Sequence, residues 1–225
     1  MTSAQHSLTP LSVHGESRSR RVLVETVIVL GVTFAGLFAW ESLRTIVAFL
    51  PLAYFLVERQ IRGRSWAQVG FNLRDVPRGL AANWHLILVV SVVVQIAVVG
   101  GARLWLPGYL EHVVARIPFS LGQFAVFVPL LLVATLIEEI GYRALFQERL
   151  SWFMPPAAAI ALVSIVFGIA HWSPGSAIIV TIDVLLVVLD GAIYGVIYQR
   201  SKSVIVAWMA HFLADLFPIL ILQAW

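Results

Sequence analysis

An all-α, polytopic bundle of about seven membrane-spanning helices is the fold this 225-residue sequence predicts. Two observations are compositional: 60% of the residues are hydrophobic and only 12% are charged. A water-soluble domain is about half apolar and about a quarter charged. The third is the order of the residues. Apolar runs fall at 22–40, 43–58, 81–105, 120–150, 156–175, 177–198 and 203–225, near the roughly 20 residues a helix needs to cross a bilayer.

Residues 1–21 are polar without apolar periodicity and are expected to form a flexible cytoplasmic tail. Arg18 to Arg21 followed by an apolar run imitates a signal peptide. The run is longer than a signal core, however, and no small-x-small cleavage site follows, so a retained first span is expected. The second run is the weakest, because its apolar core from Thr45 to Val57 is short. Ser65 to Gly79 mixes Trp66, Val69, Phe71 and Leu73 with charges, as an interfacial segment does. Pro107-Gly108, Pro155-Pro156 and Pro174-Gly175 mark loops or helix breaks. Trp40, Trp84, Trp105, Trp152 and Trp225 lie near span ends, where indoles favour the membrane interface. Residues 22–225 thus read as one transmembrane domain. They carry no internal repeat, so an inverted-repeat transporter is not supported.

The chain has no Cys, which excludes disulfides, thiolate metal sites and a Cys nucleophile. Its net charge of +3 comes from cations in the tail and between apolar runs. Positive-inside topology accounts for them without a nucleic-acid partner. Arg18 to Arg21, the Arg59 to Arg78 loop, Arg149, and Arg200 with Lys202 fall on one side, and Arg44, Arg103 and Arg116 on the other. This asymmetry predicts a cytoplasmic N-terminus, and the expected location is as an integral protein of a bacterial inner (plasma) membrane. Seven spans then put Trp225 outside.

Function is signalled where Ile137-Glu138-Glu139-Ile140-Gly141-Tyr142-Arg143 joins an apolar run, followed by Phe167-Gly168-Ile169-Ala170-His171 and His211-Phe212-Leu213-Ala214-Asp215. Ionisable groups at membrane depth are costly and are functional candidates. If the helix containing the glutamates continues to Leu150, a rise of about 1.5 Å per residue puts Glu138 about 18 Å from the inner face. The same reckoning gives about 22 Å for His171 and Asp183, about 12 Å for Asp190 and His211, and about 18 Å for Asp215. These residues, with Glu139, share one depth band, so a polar cavity facing the cytoplasm is expected. Glu139 and Arg143 are i,i+4 neighbours suited to an ion-pair clamp, while Glu138 points about 100° away and is the candidate working carboxylate. His171 could hold a water with Glu138. His211 and Asp215, also i,i+4, could stabilise an oxyanion, or bind a metal with His171. Asp183 and Asp190 could line the cavity. Gly191, Ala192 and Gly195 are expected to allow close helix packing. His6, His14, His85 and His112 lack a supporting cluster and read as surface or interfacial residues.

The order Glu138-Glu139-x-x-x-Arg143, Phe167-x-x-x-His171, His211-x-x-x-Asp215 resembles the CAAX protease and bacteriocin-processing family of intramembrane proteases, which includes the type II CAAX prenyl endopeptidases. The resemblance runs from about 119 to 225, and Trp66-Ala67-Gln68-Val69-Gly70-Phe71 looks like the segment that often precedes it. It implies that Glu138 activates water with His171 while His211 and Asp215 support the transition state. It is compatible with a glutamate-type enzyme without cofactor, or with a divalent metal such as zinc held by Glu138, His171 and His211. The sequence departs from the family at Val188, where an aromatic residue is common, at the added Asp183 and Asp190, and at Asp215, where prenyl endopeptidases more often have Asn. The expected activity is endopeptidase cleavage of a membrane-associated or lipidated protein or peptide. A proton- or cation-coupled carrier and a non-catalytic peptide-binding scaffold or immunity protein are the alternatives.

Overall fold

The computed structural model describes residues 20–39, 44–115 and 124–223. Residues 1–19 of the expected tail, with His6 and His14, and Trp40, Arg116 and Trp225 lie outside them, while Arg20 and Arg21, expected in the tail, begin the first helix. Every described element is helical. The helices are α1 (Arg20–Ala39), α2 (Arg44–Ala48), α3 (Leu50–Ile61), α4 (Leu73–Trp105), α5 (Pro107–Ala115), α6 (Phe124–Leu150), α7 (Pro156–Ala170), α8 (Ala177–Ser201) and α9 (Val204–Gln223). Among them α1, α4, α6, α8 and α9 are long and apolar enough to cross a membrane.

The other two expected spans are shorter helices. The run at 43–58 breaks at Phe49 into α2 and α3, and Pro51 occupies the first turn of α3, where its missing N–H costs no helical bond. In the run at 156–175, α7 ends after 15 residues, just before Pro174 and Gly175. The interfacial segment has a short 3₁₀ turn at Ala67–Val69 and a left-handed Gly70 (φ +95°). The Gly70 carbonyl accepts the Val204 N–H at 2.9 Å, which ties this segment to the start of α9.

α7 and α8 approach closely through small residues. A Cβ on Gly168 would lie 2.3 Å from Val188 Cγ2, one on Gly191 2.9 Å from Phe167 Cδ1, and one on Gly195 2.9 Å from Gln147 Oε1. This contact brings the last turn of α7 against the middle of α8.

One end of the bundle is basic, and it is organised around a buried network. Arg149 and Glu58 have side chains only 1% and 5% exposed and meet at 2.7 Å. Arg62 reaches the same Glu58 carboxylate at 3.0 Å, and Arg64 also pairs with it. Arg149 contacts Tyr54 Oη at 3.2 Å and Thr26 Oγ1 at 3.3 Å, while Arg62 bonds Glu25 at 2.8 Å. The network therefore joins α1, α3 and the end of α6. Removing one partner of a buried ion pair strands the other charge, at a cost of about 3–5 kcal/mol. Glu58→Ala is expected to lower stability by that amount, read as a large drop in the melting temperature of the purified protein in detergent.

Candidate active site

The apolar first half of α6 leads directly into Glu138 and Glu139, and the helix does not stop there. Its hydrogen bonding widens to π spacing over Ile140–Gln147, which fits an extra residue into the turn and is frequent at functional sites. The two glutamates have different surroundings. The Glu139 side chain is fully buried, whereas that of Glu138 is 34% exposed.

Glu139 holds two partners. Its Oε2 lies 3.4 Å from Arg143 Nε, and its Oε1 lies 2.9 Å from His211 Nδ1. An ionised carboxylate only accepts, so Nδ1 donates. Arg143 donates to the Gly191 carbonyl at 2.8 Å and stands 4.9 Å over the Phe167 ring, adding cation–π attraction. The His211 ring stacks on Tyr194 at 4.6 Å with 20° between planes. Its Nε2 lies 3.4 Å from Asp215 Oδ2 and 3.6 Å from Glu138 Oε2. Glu139 thus links α6 to α8, through Arg143, and to α9, through His211.

His171 follows the last residue of α7. Its Nδ1 is 2.8 Å from the Phe167 carbonyl oxygen. A carbonyl only accepts, so this nitrogen carries a proton, and in the neutral ring Nε2 carries the lone pair. Nε2 stands 3.9 Å from Glu138 Oε1. A water with hydrogen bonds of about 2.8 Å to both atoms would subtend about 90° between them, near its own H–O–H angle. Both protons would then face bases, leaving an oxygen lone pair to attack. The arrangement fits a positioned nucleophilic water.

A metal at Glu138, His171 and His211 was the other expectation from the sequence. Among the described residues, no three His, Asp or Glu side chains are arranged to hold a metal ion. The side chains form hydrogen bonds and ion pairs with one another.

A cavity of about 590 Å³ is lined by His171, His211 and Asp215 together with Asp183 and Asp190. Asp190 Oδ2 accepts from Gln95 Nε2 at 3.3 Å. Asp183 meets the Tyr109 hydroxyl at 3.4 Å and His112 Nε2 at 3.7 Å. The reading of His112 as a surface or interfacial residue is corrected here. Its side chain is only 9% exposed, and its Nε2 also lies 3.1 Å from Ser173 Oγ. A local pattern could not show this, because Asp183 is 71 positions away in the chain. Both contacts use the same nitrogen, so Ser173, His112 and Asp183 do not form a proton relay, which needs both ring nitrogens. A second cavity of about 560 Å³ is lined by Glu138, Tyr142, Thr33 and Phe49. His171 and Arg44 line both cavities.

The sequence reading missed Tyr194, Gln95 and Tyr109. Only Gln95 left a signal, as a lone amide in the apolar run from Val92 to Val99. Tyr194 and Tyr109 acquire their roles from partners distant in the chain.

Residues 120–217 match the family described as Type II CAAX prenyl endopeptidase Rce1-like, and the match contains all three polar clusters. No curated protein and no solved structure matches the chain.

Proposed function

We propose that this integral membrane protein, whose residues 120–217 match the Type II CAAX prenyl endopeptidase Rce1-like family, is an intramembrane endopeptidase of the glutamate type. Its substrate is a membrane-associated or lipidated protein or peptide. The observation that carries the reading is the pair of bases, Glu138 Oε1 and His171 Nε2, facing each other at 3.9 Å beside the two cavities. A peptide running from one cavity to the other would cross this pair.

Glu138 takes one proton from the water as its oxygen attacks the scissile carbonyl, and His171 orients the water through the second proton. The tetrahedral oxyanion develops near His211. In the imidazolium form both ring nitrogens donate, so Nδ1–H is held by Glu139 and Nε2–H is available to the oxyanion. Glu138 then gives its proton to the departing nitrogen, the C–N bond breaks, and the second water proton passes from the new carboxyl group through His171 to the amine, so the products are a carboxylate and an ammonium group. Asp215 acts through His211, which it orients at 3.4 Å. Arg143 acts through Glu139. Asp183 and Asp190 shape the larger cavity.

Reconstitution tests this reading. Wild-type protein in liposomes with membrane-anchored peptides is expected to release fragments detectable by mass, from vesicles that remain ion-tight. Ion flux without fragments would favour the carrier instead, in which the buried Asp183 and the half-buried Asp190 would carry the load. In the same assay Asp215→Asn is expected to keep the cleavage rate within about tenfold, or about 1.4 kcal/mol of barrier, because the amide can still orient His211. Asp215→Leu is expected to lose distinctly more.

A further inference from the structure

We infer that the outward face of the first turns of α4 binds an anionic phospholipid of the surrounding bilayer. Its phosphate is held by Arg74, Arg78 and Arg200, and its acyl chains lie along the exposed apolar strip from Leu73 to Leu88.

The first observation is which way α4 faces. Gly79, Asn83 and Val90 are buried. A Cβ on Gly79 would lie 2.8 Å from Val206 Cγ2, so this side of the helix is pressed against α9 and its rotation is fixed. At about 100° per residue, Leu73, Pro77, Ala81, Trp84 and Leu88 share an arc of about 80° that faces away from that contact. All five are exposed, Leu73 by 72% and Trp84 by 62%. Arg74, Arg78, Ala82 and His85 fill the adjoining arc and are exposed as well. An apolar strip and a cationic strip therefore run side by side.

The second observation is charge. Elsewhere at this end of the bundle the cations have acidic partners. Glu58 pairs with Arg62, Arg64 and Arg149, Glu25 with Arg21, and Glu148 with Lys202. The side chains of Arg74 and Arg78, by contrast, make no hydrogen bond or ion pair among the described residues. Asp75, the one acid between them, is engaged by Asn72 Nδ2. Arg200 adds a third guanidinium one turn further along. Its Nη2 donates to the Ala82 carbonyl at 3.3 Å, and its Nη1 lies 3.5 Å from His85 Nε2.

The third is what such a surface fits. α4 is long and apolar enough to cross a membrane, and these turns are its polar end. Guanidinium groups match phosphate oxygens through paired N–H···O bonds, and an indole such as Trp84 suits the headgroup boundary. A zwitterionic lipid carries its own ammonium beside its phosphate, so a headgroup with net negative charge is the one these arginines select. A free phosphate would use the arginines but leave the apolar strip bare. Anionic lipid is favoured about fivefold for each arginine near the membrane surface.

The test uses the full-length protein, purified in detergent and stripped of lipid. It is titrated with phosphatidylglycerol or with phosphatidylcholine of the same acyl chains, and bound lipid is counted by native mass spectrometry. Wild type is expected to prefer phosphatidylglycerol by roughly 100-fold, and Arg74→Gln/Arg78→Gln by only about fivefold. Arg74→Lys/Arg78→Lys, which keeps the charge, should retain most of the preference. Arg21→Gln, at the same end of the bundle, should retain all of it. Equal binding of the two lipids by wild type, or an equal loss of preference in Arg21→Gln, would overturn the inference. So would displacement of phosphatidylglycerol by millimolar inorganic phosphate, which would mark a site for a free anion. The wild-type comparison and the lysine variant decide the matter even if the glutamine variant folds poorly. Lipid binding requires no cleavage, so its failure would leave the peptidase reading standing.

Discussion

Replacing Glu138 by Gln is expected to reduce peptide cleavage by about 10³-fold or more while leaving the fold unchanged. General-base catalysis by a positioned side chain contributes up to about 10⁴-fold, and the amide of Gln cannot take the proton of the attacking water. The stability side follows from the surroundings of Glu138. Its carboxylate is one-third exposed, and its nearest titratable neighbours, His211 and His171, are 3.6 and 3.9 Å away, beyond good hydrogen-bond length. No buried charge is stranded when it becomes neutral. Melting in detergent should therefore match wild type. A Glu138→Gln protein that melts normally and cleaves normally would remove Glu138 from the reaction.

The neighbouring Glu139→Gln should behave differently, although the two carboxylates are adjacent in sequence. Glu139 is completely buried and is the counter-charge of Arg143, itself 1% exposed. Neutralising it leaves a guanidinium in the core, at a cost of about 3–5 kcal/mol. In a protein of this size that corresponds to roughly 10 °C in melting temperature. Activity should fall as well, because His211 loses the ionic partner that fixes Nδ1 at 2.9 Å. Adding Arg143→Met removes the stranded charge and should restore part of the stability but not the activity. Equal melting temperatures for Glu138→Gln and Glu139→Gln would contradict the division of labour between the two residues.

The contrast shows how much of the site the sequence held. The i,i+4 spacings Glu139–Arg143 and His211–Asp215 fixed which side chains share a helix face, and the helix does run through the glutamates to Leu150. Helix rise alone put Glu138, His171 and His211 in one depth band, and they are neighbours in the folded chain. Pairings between distant segments were not legible. Arg149 reads as one of the cations marking the inner side, yet it is buried against Glu58, 91 positions earlier. His112 finds Asp183 across the bundle, and Tyr194 gains meaning only from the ring of His211 stacked on it. The 43–58 run reads as one weak span because hydropathy does not register the break at Phe49 ahead of Pro51.

The most direct measurement compares the termini of membrane and exported proteins in native host cells carrying wild-type protein or Glu138→Gln at matched abundance. The account predicts that specific termini disappear in the mutant and that the uncut precursors accumulate, which would identify substrate and cleavage site together. Identical termini in the two strains, under conditions where the gene has a phenotype, would contradict it.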